Sequence, residues 1–195
     1  MLVAQITFLL EIDKLKTIKR KTMVACDNNR QENSAEHSWH VALMAQTLQQ
    51  YADPQVDIMR ATIMLLLHDL VEIDAGDTFA FDQHVDMQVQ SAEELIAAKR
   101  LFGLLPAPMA DDFLQLWQEF EAAETLDAQF AKSMDRLLPL LQNMANHGGT
   151  WAQHGVSYQQ AAERNRYLQT CAPKLWQYAE QQLALAVQKG WLIQP

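Results

Sequence analysis

Two cysteines, six glycines and six prolines are few for a chain of 195 residues, and each scarcity excludes something. Cys26 and Cys171 show no framework spacing, so they read as free thiols in a reducing compartment, with the cytoplasm as the expected location. Glycine and proline are too sparse for a linker-rich or low-complexity chain, and most fall between stretches of helical periodicity. Positive charge is short as well: 15 basic against 24 acidic residues leave a net charge of −9. A binder of a nucleic-acid polymer is not expected, because phosphate backbones reward broad positive fields. A small phosphorylated substrate needs only a local positive site or a metal. Long apolar runs are missing too. Ile63 to Leu67 is far short of a membrane span, so no membrane partner is expected. Leu2 to Leu10 is apolar, but no basic residue precedes it. Glu11, Asp13 and Lys14 stand where a small-residue cleavage site belongs, so it is not expected to be a signal peptide.

Hydrophobic residues make up 49% and charged residues 20%, an ordinary globular balance. At ~100–200 residues per domain, residues 1–195 are expected to form one domain. Phe8, Leu9, Ile12 and Leu15 put an apolar stripe on a first helix over roughly residues 2–19. Cys26 to Asn33 reads as a loop. Ser34 then caps a helix carrying Val41, Met44, Ala45, Leu48 and Tyr51, which Asp53-Pro54 ends. A third helix begins near Val56 and becomes apolar on most sides over residues 63–67, so it should run through the core. Asp74 to Asp77 reads as a turn. Helical patterns resume over residues 88–102, 109–122, 126–146 and 158–187, and no alternating strand stands out. The expectation is an all-α fold of six to eight helices, with the helices of residues 157–190 completing it.

His68-Asp69 closes the most hydrophobic helix in the chain. An aspartate in such surroundings is costly unless it is paired, hydrogen-bonded or bound to a cation. A helix places Glu72, four residues after His68, on an overlapping face, and Asp77 follows just past the glycine turn. Neighbouring carboxylates repel unless a cation or proton intervenes. His37 begins the second helix, with His40 one turn later, and a metal site built from helices needs ligands from more than one of them. Asp135 lies at the edge of an apolar face, four residues before Pro139, which removes a helical N–H and predicts a kink. Taken singly, each piece has an ordinary structural explanation in capping, solvent exposure or surface pairing.

Taken in order, a histidine, then His-Asp about thirty residues on, then an aspartate about sixty-five residues further, they resemble the HD-domain metal-dependent phosphohydrolase superfamily. The strings Glu32 to Ser38 and Leu67 to Asp77 are similar to the branch that holds the 5′-deoxynucleotidases and related HD-domain-containing proteins. The resemblance implies an all-α fold with motifs within residues 30–136, and one divalent metal held by His37, His68, Asp69 and Asp135. It implies that Glu72 and Asp77 act on the substrate or its water, that Arg20 and Arg30 lie near the phosphate, and that the protein is a homodimer. Lys21 departs from the aromatic residue that nucleotidase members carry beside the first arginine, and the Thr22–Asn29 loop is longer than theirs.

Two imidazoles and two carboxylates suit Mn, Fe, Co, Ni, Zn or Mg, with geometry and availability deciding. Such an ion lowers the pKa of bound water toward ~7. Glu72 is assigned to orienting that water or taking its proton, and Asp77 to acting as acid or second positioning group, roles that are interchangeable at this level. Two-metal members need further histidines between the doublet and the last aspartate. Only His84 lies there, so one ion is expected. The expected reaction is release of phosphate from a nucleoside or deoxynucleoside 5′-monophosphate. The alternatives are another small phosphoester, such as a cyclic nucleotide or a nucleoside triphosphate, and a non-catalytic helical binding protein stabilised by its metal. A triphosphate asks for more cationic partners than Arg20, Arg30 and the nearby lysines supply.

Overall fold

The computed structural model describes residues 1–81 and 86–194; His84 lies outside them. The chain opens with α1 (Leu2–Glu11), which buries only Phe8. A 3-10 turn over Ile12–Thr17 then tucks Leu15 into the core. Helix does not continue to residue 19. Lys19–Val24 (β1) and Arg30–Asn33 (β2) instead form an antiparallel hairpin, turning through Asn28 and Asn29, both at positive φ. The hairpin corrects both the long first helix and the expected absence of strands. Its inward positions explain why no alternation of hydrophobicity announced it: the buried residue of β1 is Arg20 and that of β2 is Glu32.

Asn33, one residue earlier than expected, caps α2 (Ser34–Thr47). Its side chain accepts the Glu36 N–H at 3.0 Å, and the Glu36 carboxylate accepts the Asn33 N–H at 2.7 Å, a reciprocal capping box. Ser34, relieved of capping, points its hydroxyl at Glu72. Helix α3 (Ile58–Leu67) starts at an Asp57 cap and runs on through a 3-10 turn, His68–Val71, into the single turn of α4 (Glu72–Ala75). Gly76, at φ 77°, ends it. Then follow α5 (Met87–Phe102), α6 (Met109–Ala122) and α7 (Leu126–Ala145), the last carrying Pro139 inside it.

The expected helix over residues 158–187 is three pieces, α9 (Tyr158–Arg164), α10 (Leu168–Cys171) and α11 (Pro173–Gln188), preceded by α8 (Gly149–His154). Pro173 accounts for the second break: it disfavours α geometry in the residue before it, and Ala172 sits at φ −158°, ψ 69°. These one- and two-turn pieces take the α-helical segments among the described residues to eleven, above the expected six to eight.

Two apolar clusters hold the helices together. One gathers Val41, Ala45, Met64, Leu65, Phe130, Met134 and Leu137 from α2, α3 and α7. The other joins Phe8, Leu67, Leu70, Ala98, Phe102 and Trp117 from α1, the end of α3 and its 3-10 turn, α5 and α6. Each large side chain so buried contributes about 1.5–3 kcal/mol. The end of α3 feeds both clusters, so His68 and Asp69 are fixed at their seam. Gly148 (φ 94°) lies against Trp191, where a Cβ would fall 2.7 Å from the tryptophan Cβ. Ile193 bridges Ser157, accepting the Tyr158 N–H and donating to the Val156 carbonyl, each at 3.0 Å.

Candidate metal centre and substrate cleft

Three helices deliver one side chain each to a buried point. His37 comes from the first turn of α2, His68 from the end of α3 and Asp135 from the middle of α7, and their ligand atoms all lie within 4.8 Å of one another. The His37 Nε2 is 3.0 Å and the His68 Nε2 3.6 Å from the same oxygen of Asp135. The far side of each ring is spoken for. His68 Nδ1 lies 2.7 Å from the Leu65 carbonyl, which can only accept, so Nδ1 carries the proton and donates. His37 Nδ1 is held in the same way by Glu32, at 3.1 Å. With Nδ1 protonated, a neutral ring turns its Nε2 lone pair toward the carboxylate. His68 Nε2 is buried and makes no hydrogen bond, although an Asp69 oxygen lies 2.9 Å away.

Lone pairs of nitrogen and oxygen aimed at one another repel unless a cation lies among them. The groups themselves register that demand. Burial disfavours a charge on His68, but Asp69 and Asp135 outweigh it and raise its pKa well above the ordinary value. Burial likewise opposes ionisation of Asp69, yet His68 and Arg20 hold its carboxyl down to about 2. Asp135 is held well below the usual range: burial works against this, but the two imidazoles beside it, His37 and His68, prevail. The donor set of two imidazole nitrogens and carboxylate oxygens therefore fits a divalent cation, and Glu32 behind His37 is the kind of partner that orients a ligating ring.

Arg20 sits inside this well. Its Nη1 donates to Asp69 at 2.7 Å, and carboxylate oxygens of Glu32, Asp135, Glu72 and Asp77 lie 3.7–3.9 Å from the guanidinium. Burial works against its charge, but the facing carboxylates prevail and raise its pKa. Glu72 and Asp77 feel the opposite balance. Burial pushes both carboxyls up, Glu72 well above its ordinary value, with the negative charge of Asp69 adding to it. The Ser34 hydroxyl donates to Glu72 and fixes that side chain. Arg30 is not brought to the cluster. It lies exposed on the hairpin with its guanidinium on Glu36 and Asp27. His40, also apart from the ligands, packs beside Trp39 at the edge of a groove of about 430 Å³.

A cleft of about 130 Å³ opens on the ligands and is bordered by His68, Asp69, Glu72, Asp77 and Asp135. Arg164, from the end of α9, closes its far wall. A smaller cavity of about 60 Å³ adjoins it around Arg20, Asp77, Thr78 and Arg164, and is walled by Lys21, Phe79, Trp151 and Arg136. Arg136 and Arg164 escaped the sequence reading. Arg136 directly follows a ligand but belongs to no spacing pattern, and Arg164 stands in a polar run, Glu163 to Arg166, that reads as a solvated face.

Comparison with known proteins places the chain among relatives. The sequence pattern of the HD domain family matches residues 12–176. A predicted metal-dependent phosphohydrolase from Magnetospirillum magnetotacticum MS-1 is 49% identical, superposes with a TM-score of 0.92, and the match covers 98% of this chain and 95% of that one. Human 5′-deoxynucleotidase HDDC2 is 27% identical over 135 residues, 69% of this chain. The chain spans only 64% of the length of that human relative. The 5′-deoxynucleotidase yfbR of Photorhabdus temperata is 27% identical over 143 residues, 69% of this chain and 71% of its own length. With His37, His68 and Asp135 gathered at one buried point, Asp69 beside His68, and the match running from residue 12 to 176, the chain belongs to the HD domain family.

Proposed function

We propose that the protein is a metal-dependent phosphohydrolase that releases phosphate from nucleoside or deoxynucleoside 5′-monophosphates. The convergence of two Nε2 atoms and Asp135, each ring held from behind through Nδ1, carries the reading. Its named relatives, a metal-dependent phosphohydrolase and 5′-deoxynucleotidases, support it.

His37, His68, Asp69 and Asp135 would hold one divalent ion, which supplies a Lewis acid for the phosphoryl oxygen and water acidified toward a pKa of ~7. The chain's own residues do the rest. Water oxygen bonds to phosphorus, the bond from phosphorus to the ester oxygen breaks, and one proton must leave the water while one reaches the departing alkoxide. Glu72, fixed by Ser34 and raised by burial well above its ordinary value, takes or orients the water proton. Asp77, raised in the same way, faces the leaving oxygen as acid. Arg20 holds Asp69 and offsets the carboxylates around it, which keeps the well from expelling a dianionic ester.

The same reading takes the protein as cytoplasmic and as a homodimer. Among the described residues no helix is long and apolar enough to cross a membrane. Leu2, Val3, Ile6, Leu9 and Leu10 expose an apolar face along α1 that supports a subunit contact. Sedimentation would check the dimer. The activity is tested by stripping the protein of metal and resupplying Mn, Co, Mg, Ni or Zn singly, with ribo- and deoxyribonucleoside monophosphates as substrates. Metal-dependent phosphate release is expected. Stoichiometric metal binding without release from any monophosphate would overturn the proposal.

A further inference from the structure

The chain has seven arginines. Arg20, Arg30, Arg60, Arg100 and Arg166 each lie against at least one carboxylate. Arg136 and Arg164 have no such partner among the described residues. In a protein of net charge −9 these two cations make no ion pair among those residues, and they stand together on the wall of the smaller cavity beside the cleft. Arg136 lies over the Tyr167 ring, 4.9 Å from its centroid, and its Nη1 donates to the Arg164 backbone carbonyl at 3.1 Å. These contacts fix the guanidinium, yet its Nε is buried with no hydrogen-bond partner. The Arg164 guanidinium is half-buried, 6.0 Å from the Phe81 ring centroid. A guanidinium withdrawn from water without an anion is costly, and its planar fork matches phosphate oxygens.

The placement matters as much as the charge. Arg164 borders the metal cleft, the smaller cavity beside it and an open groove of about 410 Å³ that Arg136, Arg166 and Tyr167 also line. Around the smaller cavity Arg20, Lys21, Arg136 and Arg164 face a single acid, Asp77. A path therefore leads from the ligands outward along a positive wall.

We infer that a nucleotide carrying a second phosphate beyond the one removed is bound in preference to a monophosphate, the second phosphate seating against Arg136 and Arg164. The inference rests on the phosphohydrolase reading above and deepens it: monophosphates are hydrolysed, and nucleotides with a second phosphate are held more tightly.

The test is calorimetric binding to the metal-loaded Glu72→Gln protein, chosen so that ligand is not consumed. Adenosine 5′-monophosphate is compared with adenosine 3′,5′-bisphosphate and adenosine 5′-diphosphate. At least one of the latter two should bind tenfold or more tightly than the monophosphate. Adding Arg164→Met or Arg136→Met should shrink that advantage to threefold or less, while monophosphate affinity moves by less than twofold. Arg164→Lys, which keeps the charge, should retain most of the advantage, and an unchanged melting temperature confirms that each variant folds. Equal affinities for all three nucleotides would overturn the inference. So would equal losses for mono- and bisphosphate in Arg164→Met, since they would assign Arg164 to the phosphate being cleaved. An arginine-dependent advantage with no phosphate release from any nucleotide by the native enzyme would support the subsite while overturning the hydrolase reading, so the two failures are separable.

Discussion

The two walls of the cleft are opposites. On one, Glu32, Asp69, Glu72, Asp77 and Asp135 surround a single guanidinium, that of Arg20. On the other, Arg136 and Arg164 stand side by side with no acid in ion-pair contact among the described residues. Each wall is incomplete in the opposite sense: the first has carboxylates left over, the second guanidinium donors. Five carboxylates against one arginine leave room for added positive charge even after Arg20 is counted. Net charge, which set the expectations about partners, averages over both walls and describes neither. For the proposed substrate, a field that reverses sign from the metal cleft to the cavity beside it would set the reacting end toward the acids and the rest along the arginines.

The largest expected effect tests the acidic wall at its base. His68→Ala or Asp135→Ala should abolish metal binding and lower phosphate release by more than ~1,000-fold, as expected when the water-activating ion is lost. Metal content after dialysis, measured with activity, checks that both vanish together. Glu72→Gln should separate the two, keeping the metal but lowering kcat by about 100- to 10,000-fold, the range of a lost general base. If this variant turned over at the native rate, Glu72 would have no proton role.

Arg20→Met removes the one cation among the carboxylates. Leaving buried charges unpartnered costs about 3–5 kcal/mol, so the metal-free protein should melt far below the native one, and added divalent metal should recover part of the loss. Metal uptake itself should depend on pH. The carboxylates raise the pKa of His68, so below that value its Nε2 holds a proton that an incoming ion must displace. Affinity should rise with pH by up to about tenfold per unit until that pKa is passed, with protons released on binding, as calorimetry in different buffers would show. The smallest effect belongs to Arg30→Ala. Exposed and tied to Asp27 and Glu36, Arg30 should leave KM unchanged within twofold, in contrast to the arginines of the basic wall.

What could be read from the chain beforehand follows the same division. Helices α5, α6 and α7 were legible because each buries an apolar stripe of the right period, and the His37, His68-Asp69 and Asp135 spacing resembled a known arrangement. The hairpin was not, because its inward residues, Arg20 and Glu32, belong to the site rather than to the core. Pro173 marked the break before α11, but the apolar periodicity on both sides of it suggested one helix. The basic wall left no trace in the sequence. Arg136 and Arg164 become neighbours only when α9 folds back on α7, and no local pattern encodes a contact across 28 residues. Of the two arginines assigned to phosphate, Arg20 reaches the well and Arg30 does not, a difference set by which face of the hairpin each occupies.

The bridge between Ile193 and Ser157 has a reach larger than its two hydrogen bonds. Ser157 caps α9, and Arg164 is the last residue of that short helix. The segment around Ile193 thus works as a latch, and the position of a cleft residue depends on backbone about thirty residues further along the chain. A nascent chain could assemble the acidic pocket from α2, α3 and α7 before the arginine wall is fastened. Clipping after Trp191 should then leave a protein that still takes up metal but loses the nucleotide preference proposed for Arg136 and Arg164.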